Sequence, residues 1–207
     1  MVDSNGKHFS AGADLNWMKR MSNCSNEENL KDASMLTTML QKLNNLKYPT
    51  LAVIKGAAFG GGVGLISCCD IALASENSIF SLSEVKVGLI PATISPYVIN
   101  AIGARNARRL FTSGERFDSN IAKQINLVHE IAKEEDLEKR ISYFINHFKQ
   151  NGPQAVIAAK KIVLDIFNKE IDDSVISHTC EVISALRTSK EGREGVTAFL
   201  EKRNPNW

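Results

Sequence analysis

Residues 50–74, TLAVIKGAAFGGGVGLISCCDIALA, hold the pattern that decides the fold class. The stretch opens with Thr50-Leu-Ala-Val-Ile54, a short β-rich apolar run of the kind that is buried on both faces of a parallel sheet. The glycine-rich segment after it must turn sharply, and residues 63–69 then continue as a helix. Residues 70–74 are a second candidate buried strand. A strand, a helix and a strand in this order predict an α/β fold.

The same alternation continues on both sides of this stretch. Upstream, apolar residues including Ala33 recur at three- and four-residue steps from Leu30 to Leu46, which predicts one amphipathic helix that ends before Pro49. Downstream, Ile79–Ser81 predicts a brief strand, and residues 97–102 predict a helix. We therefore expect short α/β units along most of the chain.

From Glu134 onward the pattern is helical only. Apolar residues at helical spacing lie on both sides of the Gly152-Pro153 break, and residues 173–186 and 191–202 continue the series. These helices carry more apolar surface than three or four helices can bury alone, which indicates a partner surface. We divide the chain into an α/β core, 1–134, and an all-helical region, 135–207.

Composition and charge exclude several classes of function. The chain has 25 Lys and Arg against 23 Asp and Glu, and its basic residues are scattered pairs rather than a patch, so nucleic-acid binding is not expected. No apolar run is long enough to cross a membrane, and the N-terminus lacks the basic and apolar parts of a signal peptide. A cytoplasmic protein is expected. The four cysteines form no CxxC pair, so neither disulfides nor a metal site is predicted.

The glycine segment Gly56-Ala-Ala-Phe-Gly-Gly-Gly-Val-Gly64 follows a strand and opens a helix, as phosphate-binding loops do. A P-loop needs Lys and Ser or Thr after its last glycine, and a dinucleotide fingerprint starting at Gly60 needs glycine where Leu65 stands, so both are excluded. Consecutive glycines can still bring bare backbone N–H groups close to a ligand oxygen, which is half of an oxyanion hole. A tight turn with close packing is the simpler interpretation of this segment by itself.

Two further blocks change that interpretation. Lys7-His-Phe-Ser-Ala-Gly-Ala-Asp14 is a small-residue turn with Asp14 placed to cap a helix, and Phe80-Ser-Leu-Ser-Glu-Val-Lys-Val-Gly-Leu-Ile-Pro91 follows the glycine segment. Together, and in this order, the three blocks resemble the crotonase family, the enoyl-CoA hydratases and isomerases. The resemblance implies a crotonase-like β/α spiral core in 1–134 and a helical trimerisation region in 135–207. The family also has a leading segment of strands and a helix, which we expect to be missing before Lys7.

The resemblance also implies the roles of several residues. The backbone N–H groups of Ala13 and Gly61 match the two oxyanion donors, which stabilise the negative charge that a thioester carbonyl gathers as its enolate forms. Ala11, Leu15 and Gly60 match the lining of the thioester and pantetheine path, and Lys202 matches a lysine near the phosphates of coenzyme A. The coenzyme A thioester is the substrate, no cofactor is expected, and the expected assembly is a homotrimer or a dimer of trimers.

The carboxylates leave more than one reaction open. The best-known hydratases of the family use two glutamates; Glu84 matches the second, whereas Gly64 stands in place of the first. We expect hydration of a 2-enoyl-CoA, and the stretch Gly88–Tyr97 resembles hydratases of branched acyl-CoA breakdown, such as methylglutaconyl-CoA hydratases. One alternative is a Δ3,Δ2-enoyl-CoA isomerase, which needs only Glu84. Another is a catalytically silent subunit that binds coenzyme A.

Overall fold

A computed structural model describes residues 1–207 and divides them into two compact units. The first unit contains residues Met1–Leu46 and Thr50–Glu138, and the second contains Lys47–Pro49 and Lys139–Trp207. The first unit mixes helices and strands, while the second holds helices only, so the α/β class and the helical C-terminal region are confirmed. The trimerisation role of 135–207 stays a prediction.

The first unit begins with two helices, α1 (Leu15–Met21) and α2 (Asn26–Asn44). Its strands are β1 (Leu51–Ile54), β2 (Ala57–Phe59), β3 (Ile71–Ser75), β4 (Ile79–Ser81), β5 (Arg116–Asp118) and β6 (Glu130–Ala132). Between them lie α3 (Gly61–Ser67), α4 (Ser95–Ser113) and α5 (Ser119–Gln124), with short 3-10 helices at Glu84–Val87 and Glu134–Asp136. The helices that follow are α6 (Leu137–Gln150), α7 (Pro153–Ile166), α8 (Asp173–Thr188) and α9 (Lys190–Leu200).

The strands form two three-stranded sheets, and the chain passes from the first to the second three times. The first sheet has the order β1-β3-β6 with parallel pairing, and the second has the order β2-β4-β5 with β2 and β4 parallel. Isolated bridges add Val2 beside Ala52 of the first sheet and Ser10 beside Ala58 of the second. The three crossovers therefore run from Val2 to Ser10, from β1 to β2 and from β3 to β4.

The core of the first unit lies between these sheets and helices α3 and α4. Large side chains that are almost fully buried there include Ile54, Ile66, Phe80, Leu82 and Val98. Phe80 also stacks on Phe117 of the neighbouring strand, with ring centroids 5.5 Å apart. The apolar runs that the sequence analysis assigned to strands supply most of this core, because a strand covered on both faces must be apolar throughout.

Several boundaries differ from the sequence-based predictions by a few residues, and three of the differences have a structural explanation or consequence. Asp70 does not begin a strand; its carboxylate instead accepts hydrogen bonds from Thr50 N (2.7 Å) and Thr50 Oγ1 (2.8 Å), which ties the starts of β1 and β3 together. The helix predicted at 97–102 extends to Ser113 across a kink at Gly103, whose φ of 76° only glycine adopts easily. The last helix ends at Leu200 rather than 202, and Lys202 beyond it has a φ of 53°.

The second unit leaves much of its apolar surface uncovered. Helices α7 and α8 contain no fully buried residue, and Phe199 and Leu200 at the end of α9 are 82% and 73% exposed. Glu191 fixes α9 against α7 by accepting hydrogen bonds from Gln154 N (2.9 Å) and Ala155 N (2.8 Å). None of the helices in the chain is both long and apolar enough to span a membrane.

Candidate active site

Two turns leave the second sheet side by side and define the candidate site. Ser10 N donates to Ala57 O (3.0 Å) and Phe59 N donates to Ser10 O (2.9 Å), so the chain at Ser10 runs along β2. Just beyond this pairing, one strand turns through Gly12 into α1 and the other turns through Gly60 into α3. Parallel strands place their following turns at the same edge of a sheet. The pairing thus brings together two of the three blocks singled out in the sequence.

Glycines are required in the second turn because other side chains approach its backbone closely. Gly60 has φ 52° and ψ −117°, and a Cβ there would lie 2.8 Å from Oε1 of Glu84. A Cβ on Gly62 would lie 2.7 Å from Cβ of Ser10. Both distances are too short for any side chain, so the triplet lets the first turn and the Glu84 carboxylate approach from two directions. The third block of the sequence is thereby joined to the other two.

The backbone N–H groups of Ala13 and Gly61 are free to bind a ligand. Both residues are exposed, and neither N–H donates a hydrogen bond within the chain. Gly61 is the first residue of α3, where the helix provides no acceptor. Asp14 follows Ala13 and caps α1 by accepting from Trp17 N (2.7 Å), as its position in the sequence predicted. The capped helix holds the turn that presents Ala13.

Glu84 has the environment of a proton-transfer group. It begins the 3-10 helix Glu84–Val87, and its main-chain oxygen accepts from Leu89 N (3.0 Å), which fixes the backbone. One carboxylate oxygen, Oε2, is buried and has no hydrogen-bond partner in the chain. Burial raises the pKa of Glu84 above its ordinary value, because the charged form has lost its water. A buried, unpaired carboxylate beside free N–H groups is costly for a fold and is typical of a functional site.

Position 64 has no room for a second carboxylate. Gly64 is buried in α3, and the Ile94 side chain packs directly on its Cα, so that a Cβ at 64 would lie 2.6 Å from Cβ of Ile94. Ile94 itself is 2% exposed and belongs to the core. The close contact between Gly64 and Ile94 therefore leaves no space for the first glutamate at position 64. Sequence analysis identified Gly64 but missed Ile94, because the two residues come together only in the fold.

The remaining candidate residues are placed as follows. Ala11 and Leu15 belong to the first turn and the start of α1, and both are exposed, Leu15 to 79%. Gly60 lies against Glu84, as described above. Lys202 is exposed and belongs to the second unit, so its contact with a ligand stays a prediction.

Two of the four histidines hold backbone at the strands. His8 Nδ1 accepts a hydrogen bond from Ala57 N (3.1 Å), and His129 Nδ1 accepts one from Ala72 N (3.0 Å), so both rings hold strand ends. No group of three or more His, Cys, Asp and Glu side chains is arranged to hold a metal ion. Burial raises the pKa of the Cys68 thiol to about 12, which makes it a poor nucleophile. Glu84 is thus the buried carboxylate without a hydrogen-bond partner that the fold places against the glycine turn.

Comparison with known proteins gives consistent matches. The family model described as enoyl-CoA hydratase/isomerase matches residues 1–207. A solved enoyl-CoA hydratase from Shewanella pealeana is 45% identical with a TM-score of 0.95, and the match covers 99% of this chain and 77% of that one. An enoyl-CoA isomerase/hydratase from Mycosarcoma maydis is 33% identical, over 99% of this chain and 74% of its own. A 2,3-dehydroadipyl-CoA hydratase from Escherichia coli is 27% identical, over 100% and 79% respectively.

Proposed function

The chain belongs to the enoyl-CoA hydratase/isomerase family, and from this premise we propose that it adds water reversibly to a 2-enoyl-CoA with Glu84 as the only carboxylate that moves protons. Membership confirms the crotonase resemblance and makes the protein an enzyme of the hydratase/isomerase type. The observation that carries the finer proposal is the buried, unpartnered Oε2 of Glu84, held against Gly60. Such an oxygen is available to accept a hydrogen bond or a proton from a bound ligand.

The two free N–H groups supply the other half of the chemistry. A thioester oxygen placed between Ala13 N and Gly61 N would receive two hydrogen bonds, and both would strengthen as the oxygen becomes an enolate. Each such donor is worth about 100- to 1,000-fold in rate in enzymes where one has been removed. Ala11, Leu15 and Gly60 would line the path of the acyl chain and pantetheine.

Hydration needs one carboxylate used twice. Ionised Glu84 takes a proton from water while the water oxygen bonds to C3, and the C2=C3 electron pair moves onto the thioester oxygen. The enolate then collapses and C2 takes the proton from Glu84, so one O–H bond and one π bond are exchanged for a C–O and a C–H bond. The carboxylate returns to its starting charge. The raised pKa of Glu84 favours its protonated intermediate state.

One observation favours a second activity, Δ3,Δ2-enoyl-CoA isomerisation. Because Ile94 closes position 64, a second carboxylate cannot stand there to hold or orient the attacking water. Isomerisation needs no water: Glu84 removes a proton from C2, the dienolate forms on the thioester, and Glu84 returns the proton to C4. Both activities use the same residues and the same enolate.

The finer parts of the proposal concern substrate and assembly. We propose a branched, methylglutaconyl-type acyl group, Lys202 beside the coenzyme A phosphates, a homotrimer or dimer of trimers, and a cytoplasmic location. The exposed apolar side chains on α7, α8 and α9 support the assembly. Light scattering on the purified chain tests it, and a stable monomer that turns over substrate would contradict it.

The activity is tested by incubating the protein separately with crotonyl-CoA, 3-methylglutaconyl-CoA and a 3-enoyl-CoA. Mass spectrometry identifies the products: hydration adds the mass of one water, whereas isomerisation leaves the mass unchanged and moves the double bond. Fastest turnover of the branched ester supports the proposed substrate. Binding of coenzyme A esters without any product would instead indicate the silent subunit.

A further inference from the structure

The two turns of the candidate site also contact each other, through the side chain of Ser10 and the backbone of Gly62. The pairing of Ser10 with β2 joins only the strands that precede the turns. Beyond this pairing, no hydrogen bond links residues 11–14 to residues 60–63. Gly62 is buried near the start of α3, and the Ser10 side chain packs directly on it. Packing between these two residues therefore joins one turn to the other.

The contact leaves no room for a side chain at position 62. A Cβ on Gly62 would lie 2.7 Å from Cβ of Ser10, 3.2 Å from its Oγ and 3.7 Å from Cδ1 of Phe9. Ser10 cannot move away easily, because its backbone is paired with β2 and the neighbouring Phe9 is buried in the core. The Ser10 hydroxyl makes no hydrogen bond within the chain, so the contact is one of packing and not of polar groups.

This contact lies next to both free N–H donors. Gly62 follows Gly61 directly in α3, and Ser10 precedes Ala13 by three residues in the first turn. Whichever turn moves, a change in the contact between Ser10 and Gly62 alters the separation of the two donors. A donor to an oxyanion needs to lie about 2.7–3.1 Å from it, which is a window of about 0.4 Å. Small changes in this contact therefore act on the geometry that the enolate requires.

We propose that Ser10 and Gly62 are positioning residues that set the separation of Ala13 N and Gly61 N. This inference rests on the proposed function, in which the two N–H groups hold the thioester oxygen. A Cβ at position 62 would start 2.7 Å from Cβ of Ser10, whereas two carbon atoms in contact need about 3.5 Å, so the turns would part by about 0.8 Å. Such a displacement exceeds the window of about 0.4 Å, and one of the two donors would be lost.

Infrared spectroscopy of bound butyryl-CoA, labelled with carbon-13 at its carbonyl, tests this proposal. The ester carries the thioester but no double bond, so it binds without being hydrated. Hydrogen bonds to the carbonyl oxygen lower its stretching frequency, and the wild type should lower it relative to the ester in solution. Gly62→Ala should lose at least about half of this shift, because one of two donors is displaced. Its kcat should fall at least about tenfold with little change in KM, because the lost hydrogen bond is strongest in the transition state.

Matched variants at position 10 separate positioning from general destabilisation. Ser10→Ala keeps the Cβ and should retain the carbonyl shift of the wild type. Ser10→Gly removes the contact, so the separation of the donors is no longer fixed and the shift should be smaller. The double variant Ser10→Gly/Gly62→Ala carries a Cβ on one turn only, as the wild type does. It should therefore regain most of the shift and of the kcat that Gly62→Ala loses.

The outcomes distinguish this proposal from the proposed function. A wild-type shift in Gly62→Ala with native circular dichroism, or a double variant no better than Gly62→Ala, would overturn the positioning role alone. If Gly62→Ala does not fold, Ser10→Gly and Ser10→Ala decide, and equal shifts in these two variants would overturn it. Absence of any carbonyl shift in the wild type would refute the two N–H groups as donors, and with them both proposals.

Discussion

Replacing Glu84 by Gln should lower activity and raise stability at the same time. The amide keeps the shape of the side chain but can neither accept nor return a proton. A single acid-base group is worth about 100- to 10,000-fold in rate, or about 2.7–5.5 kcal/mol of activation free energy. Because no second carboxylate fits at position 64, nothing in the site can replace the lost group, and we expect a loss at the upper end.

The gain in stability follows from the buried Oε2. Burial raises the pKa of Glu84 in the folded chain above its value in the unfolded chain. The contribution of this group to the free energy of unfolding is therefore fully present below the unfolded pKa, where the carboxyl is neutral in both states. As the pH rises through the raised pKa of the folded state, Glu84 ionises and the free energy of unfolding of the wild type falls. The Gln variant does not ionise and loses no stability in this way. Urea unfolding at pH 4 and pH 8 should therefore show a stability difference that favours the variant more at pH 8.

A matched control is Glu76→Gln. Glu76 is exposed and its hydrogen bonds to Ala132 and Ser119 use its main chain only, so this variant should stay close to wild type in activity and stability. Turnover by Glu84→Gln at the wild-type rate would refute the proton-transfer role. A variant whose relative stability falls between pH 4 and pH 8 would refute the argument from burial.

Four further predictions concern Gly64, Gly61, Lys202 and the pH dependence of activity. Gly64→Ala should destabilise the fold by about 1–3 kcal/mol through its clash with the Cβ and Cγ2 atoms of Ile94, and a urea double-mutant cycle should show this cost disappearing in an Ile94→Gly background, which removes both atoms. Gly61→Pro removes one N–H donor and should abolish turnover; a variant with native circular dichroism and full activity would exclude that donor. Lys202→Ala should raise KM for the coenzyme A ester with little change in kcat, whereas an unchanged KM would indicate a lysine in solvent. The acid side of the pH profile of kcat/KM should have its midpoint above the ordinary glutamate pKa, because only ionised Glu84 takes a proton and burial raises its pKa; a midpoint at the ordinary value would contradict this.

Elements with strong periodicity could be predicted from the sequence. The runs that became β1 and β3, and the amphipathic pattern of α2, were recognised because burial on one or two faces leaves a repeating signal. Strands β5 (Arg-Phe-Asp) and β6 (Glu-Ile-Ala) were missed because charged residues interrupt both, so neither forms the apolar run that marked the equally short β4. The continuation of α4 beyond Gly103 was missed because glycine usually ends a helix.

The candidate site was predicted only in part, for a similar reason. The turns at Ala13 and Gly61 were identified because a run of glycine and other small residues indicates a turn from the sequence alone. The approach of Glu84 to Gly60, and of Ile94 to Gly64, joins distant parts of the chain and depends on how the sheets and helices pack. Such contacts leave no spacing in the sequence from which they could be found.

The central claim is that Glu84 moves the proton at C2 of a thioester enolate, and isotope exchange tests it most directly. The substrate that shows turnover is incubated in D2O, and mass spectrometry follows deuterium incorporation at C2 for the wild type and Glu84→Gln. The wild type should incorporate deuterium at C2, and the variant should do so at least about 100-fold more slowly. Exchange at C2 at the same rate in both proteins would contradict the claim.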